Sequence, residues 1–228
     1  MSSTLTLKPA PLAFDVVGTA ERLVLDDFRL VIAGYTGRDE AAVKAHIDEL
    51  AAIGVPAPAS VPSFYPLDRS LVTQAEAIEV RGGNTSGEVE PVLVRSRGRL
   101  YLAVGSDHTD RDIERDSVAE SKAACPKPVS SSVIALADDI DWDAVAVSST
   151  VDGGQYQMGT LRSLRIPTSV LGLYDREADD AGGDVVMFGG TLPIIGGEFV
   201  AGTSWGLSLE VPGMGAIEHS YRVTRVAG

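Results

Sequence analysis

From about Val129 to its C-terminal end, this 228-residue chain is broken by glycine and proline into short apolar runs, spaced about every eight to twelve residues. Long helices do not survive such punctuation, whereas short strands joined by turns do. The N-terminal region reads the same way, with apolar runs at Leu12–Val17 and Arg22–Ile32 that predict strands. The pattern changes after Gly34-Tyr35-Thr36-Gly37. Val43, Ile47 and Leu50 recur at i, i+4 and i+7, which predicts a helix over Asp39–Ile53, capped by Thr36 or Asp39 and stopped by Gly54 and Pro56. Residues 55–70, with Pro56, Pro58, Pro62 and Pro66, read as an ordered loop carrying Phe64 and Tyr65. Strands are expected at Ala77–Arg81, Val89–Val94 and Arg99–Val104, the last two forming a hairpin through Ser96-Arg97-Gly98. A second helix is expected over Thr109–Ala124, stopped by Pro126. The chain is therefore read as α+β, dominated by strands, with one or two helices. One domain is expected over residues 1–228, with N-terminal strands in 1–32 and the motif-bearing core in 33–228.

Composition narrows the partners. With 44% hydrophobic and 22% charged residues the chain is ordinary globular material. Its 32 acidic against 19 basic residues give a net charge of -13, which repels phosphate backbones and anionic lipid, so neither nucleic acid nor membrane is an expected partner. A small anionic substrate would need a metal ion or a local basic cluster. Cys125 is the only cysteine, so no internal disulfide forms, and a reducing cytoplasmic location is expected. The first residues lack a basic segment followed by an apolar one, and nowhere do 18 apolar residues run together, so neither a signal peptide nor a membrane span is expected.

Four constellations bear chemistry. Glu88 and Glu90, at i and i+2, leave the same face of a strand and suit a hard divalent cation such as Mg²⁺; the plain alternative is a solvated strand edge. In Ser106-Asp107-His108-Thr109-Asp110-Arg111-Asp112-Ile113-Glu114, a helical reading puts Asp107, Arg111 and Glu114 on one face; otherwise it is a capped, salt-bridged helix start. His46 and Glu49 stand at i and i+3 within the first helix, where a carboxylate fixes and strengthens an imidazole base, or where an exposed pair is merely solvated. Lys127, between Pro126 and Pro128, is a restrained ammonium, with Lys122 as an alternative. Cys125 reads as a small buried residue, and His108 and His219 as ordinary polar residues rather than ligands.

Taken in order, these residues resemble the fumarylacetoacetate hydrolase superfamily. Its members bind a divalent metal through Glu-x-Glu and a later Asp in a motif Asn-Asp-x-Ser/Thr-Ala-Arg-Asp-x-Gln, which the present run matches at Asp107, Thr109, Arg111 and Asp112. His46 and Glu49 match the His-x-x-Glu dyad of the smaller members, Lys127 falls where a family lysine is expected, and Gly202-Thr203-Ser204-Trp205-Gly206 is similar to the family's Gly-Thr-Pro-x-Gly turn. The resemblance implies a mixed β-roll of layered sheets with peripheral helices, commonly a homodimer. It also has departures. Ser106 replaces Asn, Asp110 replaces Ala, Glu114 replaces Gln, and Tyr65 stands where smaller members often have Lys. One cation fewer and two acids more imply a substrate less anionic than acylpyruvates or oxaloacetate.

The implied activity is metal-dependent hydrolysis of a carbon-carbon bond in a small 1,3-dicarbonyl or 2-keto acid. Glu88, Glu90 and Asp107 would hold Mg²⁺ or Mn²⁺. Glu49 would orient His46 as the base, Lys127 and Arg111 would stabilise an enolate, and Tyr65, Glu114 and Thr203 would contact substrate. Two rivals stand beside it: a metal-dependent decarboxylase or tautomerase of a β-keto acid, and a non-catalytic β-rich domain that binds a small molecule.

Overall fold

The computed structural model of the chain describes residues 11–226 except 53, 55, 138 and 179–181, and the side chain of Leu50 is likewise outside the description. Its centre is the expected hairpin. Strands β6 (Val89–Ser96) and β7 (Arg99–Ser106) pair without interruption from Ser96↔Arg99 to Val89↔Ser106. Arg97 (φ 51°) and Gly98 (φ 80°) both take the left-handed conformation that a two-residue turn of matching twist demands.

The hairpin lies in an eight-stranded sheet with β1 (Leu12–Val16), β2 (Arg22–Leu25), β3 (Arg29–Gly34), β4 (Ser63–Leu67), β8 (Ser132–Ala135) and β11 (Val185–Phe188). The strand order is β2-β1-β8-β7-β6-β11-β3-β4. Alternate residues of its strands feed two separate cores. Val31, Ala33, Leu93, Leu102, Val104, Val185 and Met187 pack against a second sheet, while Leu30, Ile32, Val92, Val94, Ala103, Val186 and Phe188 join Phe14, Leu25 and Val133. Apart from Val72, the strand residues of that second cluster come from the one sheet, so the sheet curls around its own core. Complete burial of side chains such as Phe14 and Phe188 contributes about 1.5–3 kcal/mol each.

The second sheet has the order β10-β9-β12-β13-β5, from β5 (Ala77–Val80), β9 (Ala146–Val151), β10 (Gly154–Thr160), β12 (Ser204–Val211) and β13 (Gly215–Arg225). Trp205, Tyr156 and Tyr221 fill the space between the layers. This is the expected α+β roll of layered sheets.

Several local expectations give way. Residues 55–70 are not all loop, because Ser63–Leu67 extends the sheet as an edge strand, the position where Pro66 removes no essential hydrogen bond. Arg22–Ile32 is two strands, parted at Asp26-Asp27. The helix expected over Thr109–Ala124 is two short ones, α2 (Arg111–Glu114) and α3 (Val118–Ala123), since Asp110 and Ser117 each cap a fresh start. A further helix, α4 (Pro167–Glu177), begins at the proline and buries Val170, Leu171 and Tyr174. The described residues thus hold four α-helices where one or two were expected.

Helix α1 (Glu40–Ala52) forms where periodicity put it, and Asp39 rather than Thr36 caps it by accepting from the amides of Ala41 and Ala42. None of its described side chains is buried; Val43 and Ile47 are only half-covered. No described helix is long and apolar enough to cross a membrane.

Candidate active site

One end of the central hairpin gathers the acidic motifs. Glu88 immediately precedes β6 and Asp107 immediately follows β7, and the Asp107 amide donates to the Glu88 carbonyl at 3.0 Å. Glu90, buried one residue into the strand, accepts from the amide of Gly190 at 2.9 Å. Gly105, opposite Glu90, has no room for a side chain, because a Cβ there would lie 2.8 Å from the Pro128 carbonyl and 2.6 Å from the Phe188 ring. That close approach brings the Lys127 segment onto the hairpin.

Two ammoniums meet Asp107. Lys122, from α3, contacts Oδ2, and Lys127 stands 3.0 Å from Oδ1; Asp107 and Lys127 are wholly buried and Lys122 nearly so. Burial alone would raise the Asp107 carboxyl, but the two ammoniums overcome it and hold it well below the usual carboxylate range. The lysines move in opposite directions. Burial lowers both, yet Lys122 is raised on balance because Asp107, Glu88 and Glu90 all attract it, whereas Lys127 has Asp107 against the charge of Lys122 and is lowered. Glu90 is raised well above its ordinary range, by burial first and then by the Asp107 charge.

Arg111 is consumed by the protein. Its Nε donates to Ser86 Oγ at 2.7 Å, its Nη1 to Glu114 at 2.8 Å, its Nη2 lies 3.2 Å from Glu88, and its guanidinium carbon sits 3.7 Å from the centroid of the Phe199 ring. It therefore braces Glu88 instead of reaching into open space. Asp107 lies outside α2, so the expected helical face of Asp107, Arg111 and Glu114 does not exist; the cluster is assembled by strand ends and a cap. Asp110, a departure from the family motif, is that cap.

The other expected residues divide. Tyr65, half-buried on β4, lies with its ring centroid 5.8 Å from the Lys122 ammonium. Its phenol bonds to Tyr35, a residue that sequence reasoning passed over and that takes φ 56°, unusual for an aromatic side chain. No contact joins Thr203 to the carboxylate cluster among the described residues. Its hydroxyl and amide are held by Asp152 at 2.9 and 3.0 Å, and it borders a hollow of about 380 Å³ shared with Thr85 and Arg225. His46 and Glu49 are paired at 3.9 Å on exposed α1, with side chains 62% and 79% accessible, and no contact joins them to the carboxylate cluster among the described residues.

His108 is a buried tether, as its ordinary-polar reading anticipates. Nδ1 bonds the Tyr221 hydroxyl at 3.1 Å, Nε2 the Thr85 hydroxyl at 3.0 Å, and its carbonyl accepts from Lys127 at 2.5 Å. Burial, followed by the charges of Lys127 and Arg111, pushes its pKa down to about 3, so it is a neutral strut.

Among the described residues no three Asp, Glu, His or Cys groups already stand in metal-ligating proximity. The donor set nevertheless suits a hard cation: three carboxylates, all drawing on one ammonium, with Lys122 as the stand-in positive charge.

The profile of a protein family, DUF2848, described as a protein of unknown function, matches residues 33–221. No curated protein matches the chain in sequence. Among solved structures, fumarylpyruvate hydrolase from Pseudomonas aeruginosa, crystallised with Mn²⁺ and pyruvate, is 16% identical at a TM-score of 0.66, over 97% of this chain and 99% of that one. A 5-carboxymethyl-2-hydroxymuconate delta-isomerase from Mycobacterium smegmatis is 16% identical at a TM-score of 0.56, over 92% and 87%. A 2-keto-3-deoxy-D-arabinonate dehydratase is 14% identical at 0.62, over 92% and 78%. The fold expected from the sequence resemblance is the fold found.

Proposed function

The chain belongs to the DUF2848 family and has the fold of fumarylacetoacetate hydrolase-type enzymes, and from that premise we propose that it is a divalent-metal-dependent enzyme cleaving a carbon-carbon bond in a small 1,3-dicarbonyl or 2-keto acid. The carrying observation is the buried contact of Asp107 with Lys122 and Lys127 at the end of one hairpin, with the charges of Glu90 and the partly exposed Glu88 acting on the same Lys122. Such a group of charges is costly to bury unless it serves a site or is fully paired.

Glu88, Glu90 and Asp107 would hold Mg²⁺ or Mn²⁺, which when bound polarises carbonyl oxygens and steadies an enolate. Arg111 keeps Glu88 in place, and the Gly190 amide does the same for Glu90. Lys122 offers a positive charge to an anionic oxygen, with the phenols of Tyr65 and Tyr35 beside it as neutral donors. Neutral phenols in that place favour a less anionic substrate. In hydrolysis His46 would take the proton from water at its ring, with Glu49, its partner at 3.9 Å, orienting the imidazole.

One observation favours the second reading, decarboxylation or tautomerisation of a β-keto acid. His46 and Glu49 stand in solvent, and those reactions need the electron sink without water attack. The two separate in His46→Ala: hydrolysis collapses, whereas decarboxylation persists at a substantial fraction of its rate.

The deciding experiment is calorimetric titration of Mg²⁺ and Mn²⁺ into chelator-treated protein, wild type beside Glu88→Gln. Saturable binding of one ion per chain, weakened at least tenfold in the variant, supports the site and justifies a screen of keto acids for turnover. Absence of binding in both removes the metal and favours the non-catalytic small-molecule binder.

A further inference from the structure

The two ammoniums on Asp107 differ in how they are held. Lys127 lies between two prolines, its segment pairs with Val72–Thr73, and its wholly buried head is shared between Asp107 Oδ1 at 3.0 Å and the His108 carbonyl at 2.5 Å. Backbone and head group are both fixed. Lys122 comes from the six-residue helix α3, and its only hydrogen bond among the described residues is to Asp107 Oδ2. Glu88 and Glu90 attract it as well, and the face of Tyr65 lies beside it with Tyr35 close by. It therefore occupies the point at which three carboxylate charges act together, the same point a hard dication would seek. An ammonium and a dication cannot share one carboxylate oxygen without strong repulsion.

We propose that Lys122 is a resident cation that competes with the divalent metal for Asp107: loading of the metal drives Lys122 off Oδ2, while Lys127 remains as the permanent counter-ion. The inference rests on the metal reading above and goes beyond it, since it makes the affinity for metal a property of a lysine that is not a ligand. It also separates the two candidate lysines. Lys127 holds the loop, and Lys122 is the group whose position changes with loading.

The test uses the full chain and Mn²⁺ alone. Chelator-stripped wild type, Lys122→Met, Lys122→Arg and Lys127→Met are titrated by calorimetry, and in parallel the wild type is acetylated with and without Mn²⁺ and its lysines are read by mass spectrometry. The expected result is Mn²⁺ binding at least tenfold tighter in Lys122→Met than in wild type, no tightening in Lys122→Arg, and less than threefold tightening in Lys127→Met, which loses the same charge. Should Lys127→Met not fold, Lys122→Arg supplies the charge control. Mn²⁺ should accelerate acetylation of Lys122 and leave Lys127 protected. Equal or weaker binding in Lys122→Met, or unchanged labelling of Lys122 in a wild type that binds Mn²⁺, overturns the competition while sparing the metal site. Failure of both wild type and Lys122→Met to bind Mn²⁺ overturns the metal reading and this inference together.

Discussion

Asp107 carries two buried ammoniums on one carboxylate, so its removal strands both. Asp107→Ala should destabilise the protein by about 3–5 kcal/mol, the range for breaking a buried ion pair, as read by urea unfolding. A loss below about 1 kcal/mol would mean that the lysines are solvated. Cys125 makes an opposite, silent prediction. Burial pushes its thiol up to about 11, so at pH 8 it remains protonated and unreactive. Ellman's reagent should release less than one tenth of an equivalent from native protein and a full equivalent in guanidinium chloride. A third residue has a measurable pH signature. Burial lowers the pKa of His219, whose Nε2 is buried without a hydrogen-bond partner among the described residues. Below the ordinary histidine value of about 6.5 the unfolded chain takes up a proton that the folded one resists, so stability falls as the solution is acidified. His219→Gln should flatten the loss of stability on acidification below about pH 6.5, measured by denaturant melts at each pH.

Elements differ in how far sequence revealed them. The hairpin was legible because alternation and a two-residue turn have one common solution, and α1 because three apolar residues repeat at helical spacing. Helix α4 escaped because Gly and Pro surround it and its buried side chains, Val170, Leu171 and Tyr174, mimic a short strand. The acidic residues of the site could be read, but Tyr35 could not: its backbone conformation and its partner Tyr65, on the next strand, exist only after β3 and β4 pair. Nor could the mixed charges of residues 107–114 reveal that Arg111 is engaged by the protein, since its partners Ser86 and Phe199 are remote in sequence. At this scale the turn gives a clean test. Gly98 stands at φ 80°, so Gly98→Val should cost about 1–2 kcal/mol through left-handed strain, with chemical denaturation as the measure.

The molecule as a whole rests on two cores on opposite faces of one sheet. Leu93 faces the layer between the sheets and is fully buried, so Leu93→Ala should cost about 2–5 kcal/mol by transfer and cavity terms. His46→Ala and Glu49→Ala, on a helix with no buried described side chain, should change stability by less than about 0.5 kcal/mol whatever they do to turnover. The fold class was available in advance because the chain's punctuation permits little besides layered strands, while the curling of the large sheet onto itself depends on pairings such as β1 with β8, distant in sequence. Helix α1 is fastened chiefly at its start, by the Asp39 cap and the ion pair of Glu40 with Arg165 at 3.0 Å. Sequence change along its outer length is thus nearly free of folding constraint, so a lineage can rewrite this surface while inheriting its scaffold unaltered.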